Sequence, residues 1–170
     1  DRLREETFAR QKAQGLFPAD AQLTPRPDEI PAWDSLSPEE QRFSQRLMES
    51  YAGFMAHTDA QVCKLVAELK ASGEFDNTLF LYVVGDNGAS LEGGIDGSLN
   101  YLAGLIGIPQ DKAKMLARID EAGTARSYSH INVGWAWAAD APFRWGKTMP
   151  SYLGAIRNPL VVSWPNRING

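Results

Sequence analysis

Thr78-Leu79-Phe80-Leu81-Tyr82-Val83-Val84-Gly85-Asp86-Asn87-Gly88 is the stretch on which the reading of the fold turns. Six of its first seven residues are apolar or aromatic in an unbroken run. That is the pattern of a strand buried on both faces, as at the centre of a parallel sheet. Immediately before it comes a long helical segment with a readable start. Ser37-Pro38-Glu39-Glu40 forms a capping box, with Ser37 as N-cap, Pro38 at the first helical position and Glu40 at the third. Phe43, Leu47, Tyr51, Phe54, Val62, Leu65 and Leu69 then recur at three- and four-residue steps, with one wider gap, and make one apolar face. Gly73 closes the helix. A helix feeding a buried strand is half of a βαβ unit, so the predicted class is α/β, with a mostly parallel central sheet flanked by helices.

Further out the signals weaken. The chain opens in a helical piece that ends at Gly15, followed by Pro18, Pro25, Pro27, Pro31 and Pro38. So many prolines predict a surface-crawling loop of about 20 residues. Beyond the strand, Ala89 to Gly107 holds five glycines without a clear period and reads as loop. A short helix is expected from Pro109 to Ala122, ended by Gly123. Ser127 to Trp145 is rich in aromatics of mixed period and is assigned to no element, its tryptophans filling core or lining a cleft wall. Pro159-Leu160-Val161-Val162-Ser163-Trp164-Pro165 is a second short buried strand.

Composition narrows the class without naming it. Hydrophobic content of 44% and charged content of 22% over 170 residues are ordinary globular values. A net charge of −4 gives no reason to expect nucleic acid or an anionic membrane as partner. No stretch approaches the roughly 18–20 apolar residues of a membrane span. The single Cys63 excludes an internal disulfide and a cysteine zinc cluster, and leaves the compartment open. The first residue is Asp1 rather than methionine, within a helical stretch, so the expectation is a chain cut from something longer.

Chemistry concentrates at the Gly85-Asp86-Asn87-Gly88 turn. At the carboxyl end of a buried strand, ligands find strand ends and helix starts converging. Asp86 and Asn87 offer a carboxylate and an amide carbonyl, hard oxygens suited to calcium or magnesium. The same residues are ordinary turn vocabulary, and alone they leave both readings open. Lys147, in Pro142-Phe143-Arg144-Trp145-Gly146-Lys147, would give an anionic ester a compact point charge, or be a solvated surface lysine. Arg157 reads as the anchor of the loop before the last strand. His130, in Tyr128-Ser129-His130-Ile131-Asn132, is a substrate contact, an acid/base group or a structural histidine. Glu92 follows the turn, as a group that orients it or as a loop charge. His57 reads as a solvated helix residue and Cys63 as helix packing.

Several stretches taken in order resemble the bacterial arylsulfatases of the alkaline-phosphatase-like superfamily. They are Leu79 to Ser90, Glu92-Gly93-Gly94 with Gly97-Ser98-Leu99-Asn100, Val133-Gly134-Trp135-Ala136-Trp137-Ala138, Pro142 to Lys147, and Arg157 to Pro165. The likeness runs from about Ser37 to the end. It implies a partial alkaline-phosphatase-like sandwich and places residues 1–170 within a single catalytic domain, with 1–36 as a proline-rich lead-in. It implies hydrolysis of a small-molecule sulfate ester, with Asp86 and Asn87 as two ligands of a divalent ion, calcium first and magnesium second, and Lys147 on a sulfate oxygen. A phosphate or phosphonate ester hydrolase of the same superfamily and a non-catalytic remnant are the alternatives. The family's formylglycine arises from a Cys-x-Pro-x-Arg signature that Cys63-Lys64-Leu65-Val66-Ala67 does not match. Its two other metal aspartates also have no counterpart, so nucleophile and remaining ligands are expected from the rest of a parent chain and the piece alone is expected to be inactive. The family's Gly-Gly pair before the last arginine is Gly154-Ala155 here.

Overall fold

The capping box closes as its residues require. In a computed structural model, which describes residues 1–85 and 87–168, the Ser37 amide donates to Glu40 Oε2 at 2.7 Å and the Glu40 amide to Ser37 Oγ at 3.3 Å. Helix α2 (Pro38–Ala71) follows, and its end is tied by the Glu74 amide to the Leu69 carbonyl, with Gly73 at a φ of 76° that a residue with a Cβ rarely adopts. Before it lies α1 (Arg2–Ala13), and after it β1 (Phe80–Val83), α3 (Tyr101–Leu105), α4 (Lys112–Ala117), α5 (Val133–Ala139), α6 (Leu153–Ile156) and β2 (Leu160–Ser163). The chain is thus α/β, and it divides into two compact units, Asp1–Tyr51 with Asn87–Arg157, and Ala52–Asp86 with Asn158–Gly170.

The first unit holds the core. Phe43 and Leu47 of α2 pack with Leu99, Met115 of α4 and Ala122. A second cluster joins Ile30 to Val133 and Trp137 of α5, flanked by Leu91 and Trp145. Ile30 therefore explains how the proline-rich loop stays down: one apolar side chain, 2% exposed, plugs it into the core. Asn132 starts α5 by accepting from the Trp135 amide at 3.0 Å, and its own amide donates to Ser44 Oγ at 2.7 Å, fixing α5 against α2 through two buried polar groups. Three helices are missing from the sequence reading: α6 is a single turn of four residues, and α3 and α5 are five and seven residues long. None is long enough to show a period, and α3 and α5 announce themselves only by an asparagine N-cap, Asn100 and Asn132.

In the second unit β1 and β2 pair antiparallel, Phe80 opposite Ser163 and Val83 opposite Leu160. This departs from the expected parallel central strand buried on both faces. Leu81 and Val83 are 56% and 63% exposed, and Leu160, Val161 and Val162 are exposed as well. An apolar run specifies that both faces prefer cover; it carries no information on strand direction. The later turns of the α2 stripe behave alike, since Phe54 and Leu65 are exposed whereas Phe43 and Leu47 are buried. Cys63 is exposed too, rather than packed.

Arg4 of α1 is the one buried cation among the described residues, 1% exposed. Its guanidinium donates to the carbonyls of Trp137, Pro142 and Phe143 and to Thr24 Oγ1, and stacks 4.1 Å from the Trp137 ring centroid. Burial draws its pKa down to about 10, so it stays charged at neutral pH, with Asp140 acting in the opposite sense. Arg4→Met keeps a long unbranched side chain but strips the Trp137 and Phe143 carbonyls of their Arg4 donor, while Pro142 keeps the Thr24 hydroxyl. We expect it to cost about 2–4 kcal/mol, read as a lower urea midpoint at unchanged slope.

Candidate functional site

The residues after the Asp-Asn turn are held by backbone. The Gly88 amide donates to the Ala155 carbonyl at 3.0 Å, and the Lys147 amide to the Ala89 carbonyl at 2.9 Å. The Ala89 amide donates to Asp140 Oδ1 at 3.3 Å. The turn segment thus meets two stretches nearly sixty or more residues further on with almost no side chain between them, and glycine makes this feasible. A Cβ on Gly88 would run into the Gly154 carbonyl, and one on Gly146 into the Ala89 carbonyl. Asp140 Oδ2 fills the space left over, buried and without a hydrogen-bond partner among the described residues, facing Gly88, Gly146 and Gly154. Burial pushes the Asp140 carboxyl up to about 6, against the pull of the Ala89 amide and Arg4.

This frame presents Lys147. Its Nζ donates to Glu92 Oε2 at 2.8 Å, with the two side chains 34% and 18% exposed. The same oxygen accepts from Ser90 Oγ at 2.9 Å and from the Tyr101 hydroxyl at 2.8 Å. Lys147 first, then the two hydroxyls, hold the Glu92 carboxyl down to about 2 against its partial burial. Tyr101 reaches this place because Ser98–Tyr101 pairs with Tyr128–His130, through Ser98 amide to His130 carbonyl at 3.0 Å and Tyr101 amide to Tyr128 carbonyl at 2.8 Å.

His130 joins from the same ladder. Its ring stacks on Tyr101 with centroids 5.0 Å apart and planes at 23°. Nδ1 lies 2.8 Å from the Ile131 carbonyl and Nε2 2.9 Å from Ser90 Oγ. A carbonyl only accepts, so Nδ1 carries a hydrogen, and Nε2 of the neutral ring is an acceptor. Ser90 has one hydrogen and two acceptors within reach, Nε2 and Glu92 Oε2, and serves one at a time. Ser90, Glu92, Tyr101, His130 and Lys147 are therefore one connected group.

Of the residues singled out in the sequence, Lys147, Glu92 and His130 come together. Asn87 is exposed and its side chain has no hydrogen bond among the described residues; Asp86 lies outside them. His57 is exposed on α2, as expected. Arg157 lies with its guanidinium 5.9 Å from the Phe143 ring centroid. Ser90, Tyr101 and Asp140 were not foreseen. Only Ser90 had a readable signal, the two-residue spacing to Glu92 that lets the Glu92 amide donate back to Ser90 Oγ at 3.3 Å. Gly154 also proves to matter more than the exchange beside it: a Cβ there would strike the Trp145 carbonyl, whereas Ala155 is accommodated and buried. No helix among the described residues is long and apolar enough to cross a membrane.

The Sulfatase family model matches residues 7–170. The chain belongs to the sulfatase family, and membership carries with it the alkaline-phosphatase-like fold. It is 31% identical over 168 residues to an uncharacterized sulfatase of Schizosaccharomyces pombe, a match covering 97% of this chain and 28% of that protein. It is 29% identical over 160 residues to an arylsulfatase of Klebsiella aerogenes, covering 94% of this chain and 32% of that protein. The chain therefore spans about a third or less of the length of these relatives.

Two outcomes test the frame. Gly146→Ala should lower stability by about 1–3 kcal/mol, the scale of overpacking, because backbone must move to admit one methyl; thermal unfolding reads it. Glu92 has its carboxyl depressed from 4.5 to about 2, so its ionisation supports the fold above about pH 4.5 and that support is lost as pH falls towards 2. The stability gap between the native protein and Glu92→Gln, followed by urea titration, should be constant at neutral pH and close over that window.

Proposed function

We propose that the full-length protein hydrolyses small-molecule sulfate esters to sulfate and an alcohol or phenol, with residues 1–170 forming part of one catalytic domain. The observation that carries this reading is Lys147. In a chain of the sulfatase family, this lysine is held by Glu92 and, through its backbone amide, by Ala89, two residues beyond Asn87 in sequence. An ammonium so fixed stabilises the charge that builds on sulfate and leaving-group oxygens as the ester bond lengthens.

Asp86 and Asn87 would hold a divalent ion, calcium first and magnesium second. The donor chemistry fits: a carboxylate beside an exposed amide whose oxygen is not engaged elsewhere among the described residues. It fits as part of a set, because calcium takes about 6–8 oxygens and no group of three or more His, Cys, Asp or Glu among the described residues could complete one. When bound, such an ion polarises the ester and orients the nucleophile. The other ligands and a formylglycine nucleophile would come from the remainder of the protein. The exposed apolar faces of β1 and β2 support the same view, since they suit strands that continue into a wider, mostly parallel sheet under helices.

The test is turnover of an aryl sulfate by the full-length enzyme. Chelation should abolish it and calcium restore it, and Asp86→Ala should lower metal affinity and activity together. Lys147→Ala should cost about 10²–10³ in kcat with the fold intact. A phosphate monoester turned over faster than the sulfate ester, or unchanged turnover in Asp86→Ala, would overturn the reading.

A further inference from the structure

A hollow of about 540 Å³ opens in the first unit between α3, α4 and the stretch before His130. Its size falls within the roughly 300–1,000 Å³ of small-molecule sites. The floor is core, made by the buried Leu99, Ala103 and Met115. The wall is not: Ile108 and Tyr128 line the space and are 53% and 57% exposed. Backbone holds both in place, the Ile108 amide donating to the Ala103 carbonyl at 2.8 Å and the Tyr128 amide to the Leu99 carbonyl at 2.9 Å. The hollow is therefore formed before any ligand arrives.

Its rim is cationic. Lys114, Arg118 and Arg126 border it, each side chain more than half exposed. A single carboxylate answers both guanidiniums, with Glu121 Oε2 2.6 Å from Arg118 Nη2 and Oε1 3.3 Å from Arg126 Nη2. Asp111 is partly spent on capping α4, since Oδ1 accepts from the Lys114 amide and Oδ2 lies 3.9 Å from Lys114 Nζ. Positive charge thus exceeds negative here, in a chain whose net charge is −4. A neutral apolar molecule would leave that charge unanswered, and a bare inorganic anion would leave Ile108 and Tyr128 in water. A ring system carrying an anionic group answers both, and covering the wall strengthens the ionic contact by excluding water.

We propose that this hollow binds an apolar anion: an aromatic or alicyclic body bearing a sulfate, sulfonate or carboxylate, its ring on Ile108 and Tyr128 and its charge at Lys114 and Arg126. Two sources share this chemistry. Tyr128 packs edge-on against Tyr101, ring centroids 5.5 Å apart, and the Tyr101 hydroxyl belongs to the Glu92 group. One source is therefore the far end of the ester itself, which rests on the sulfatase reading; the other is a separate molecule, which does not.

Calorimetry on the full-length protein tests the site, with naphthalene sulfonate as ligand and naphthyl methanol as its neutral counterpart. Lys114→Gln with Arg126→Gln should weaken sulfonate binding about tenfold, the scale of a lost charged contact, and leave the alcohol unchanged. Ala125→Trp, which sets an indole into the hollow, should weaken both; should it fail to fold, the charge pair decides. Turnover separates the sources. If kcat/KM falls in the charge variant for an aryl sulfate carrying a second, remote sulfonate but not for one without it, the ligand is the far end of the substrate. If neither falls while sulfonate binding weakens, the ligand is a separate molecule. Both results support the site, and weakened binding supports it even where no ester is turned over. Sulfonate binding unaltered by the charge variant overturns it.

Discussion

Backbone lying directly on backbone governs this molecule's chemistry-bearing unit. Gly88 and Ala89 touch Gly146-Lys147 and Gly154-Ala155 with hydrogen bonds between main chains and no intervening side chains. Such contact removes rotamer freedom from the construction, because an amide and a carbonyl have no χ angles to search. What remains adjustable is the side chain of Lys147, and the cluster at Glu92 Oε2 constrains that. Rigidity here comes from three glycines that contribute no side chain at all.

The same closeness has an electrostatic cost. Asp140 Oδ2 is enclosed where no donor among the described residues reaches it, and its carboxyl pKa is raised to about 6 by that burial. One oxygen of that carboxylate ties the Ala89 amide while the other is left unmatched. Arg4 offsets part of this from α1, drawn down itself by burial, so two mutually moderating charges flank the frame from one side.

What could be read from the sequence divides along contact range. The capping box at Ser37, the apolar start of α2, the glycine stops at Gly15 and Gly73 and the two strand segments are local codes, and each was legible; the helix expected to run on to Gly123 ends at Ala117. The Lys147 motif and the Asp-Asn turn gained meaning from their order along the chain, which identified a family. The meeting of Glu92 with Tyr101, His130 and Lys147 was not legible, because it depends on a ladder between residues about thirty apart. Asp140 was invisible for a related reason: its environment is made of glycines, which have no side chain with which to signal a partner. Strand direction was not legible, because hydrophobicity reports cover, and cover is the same for either pairing.

Arg4 has a further consequence, in time rather than in space. Its acceptors at Trp137 and Phe143 lie 133 and 139 positions downstream. A chain emerging from the ribosome at about 5–20 residues per second exposes this arginine several seconds before its partners exist. Until then the Arg4 guanidinium lacks the carbonyls of Trp137, Pro142 and Phe143. Helix α1 is therefore locked by Arg4 only after residues 137–143 have been made.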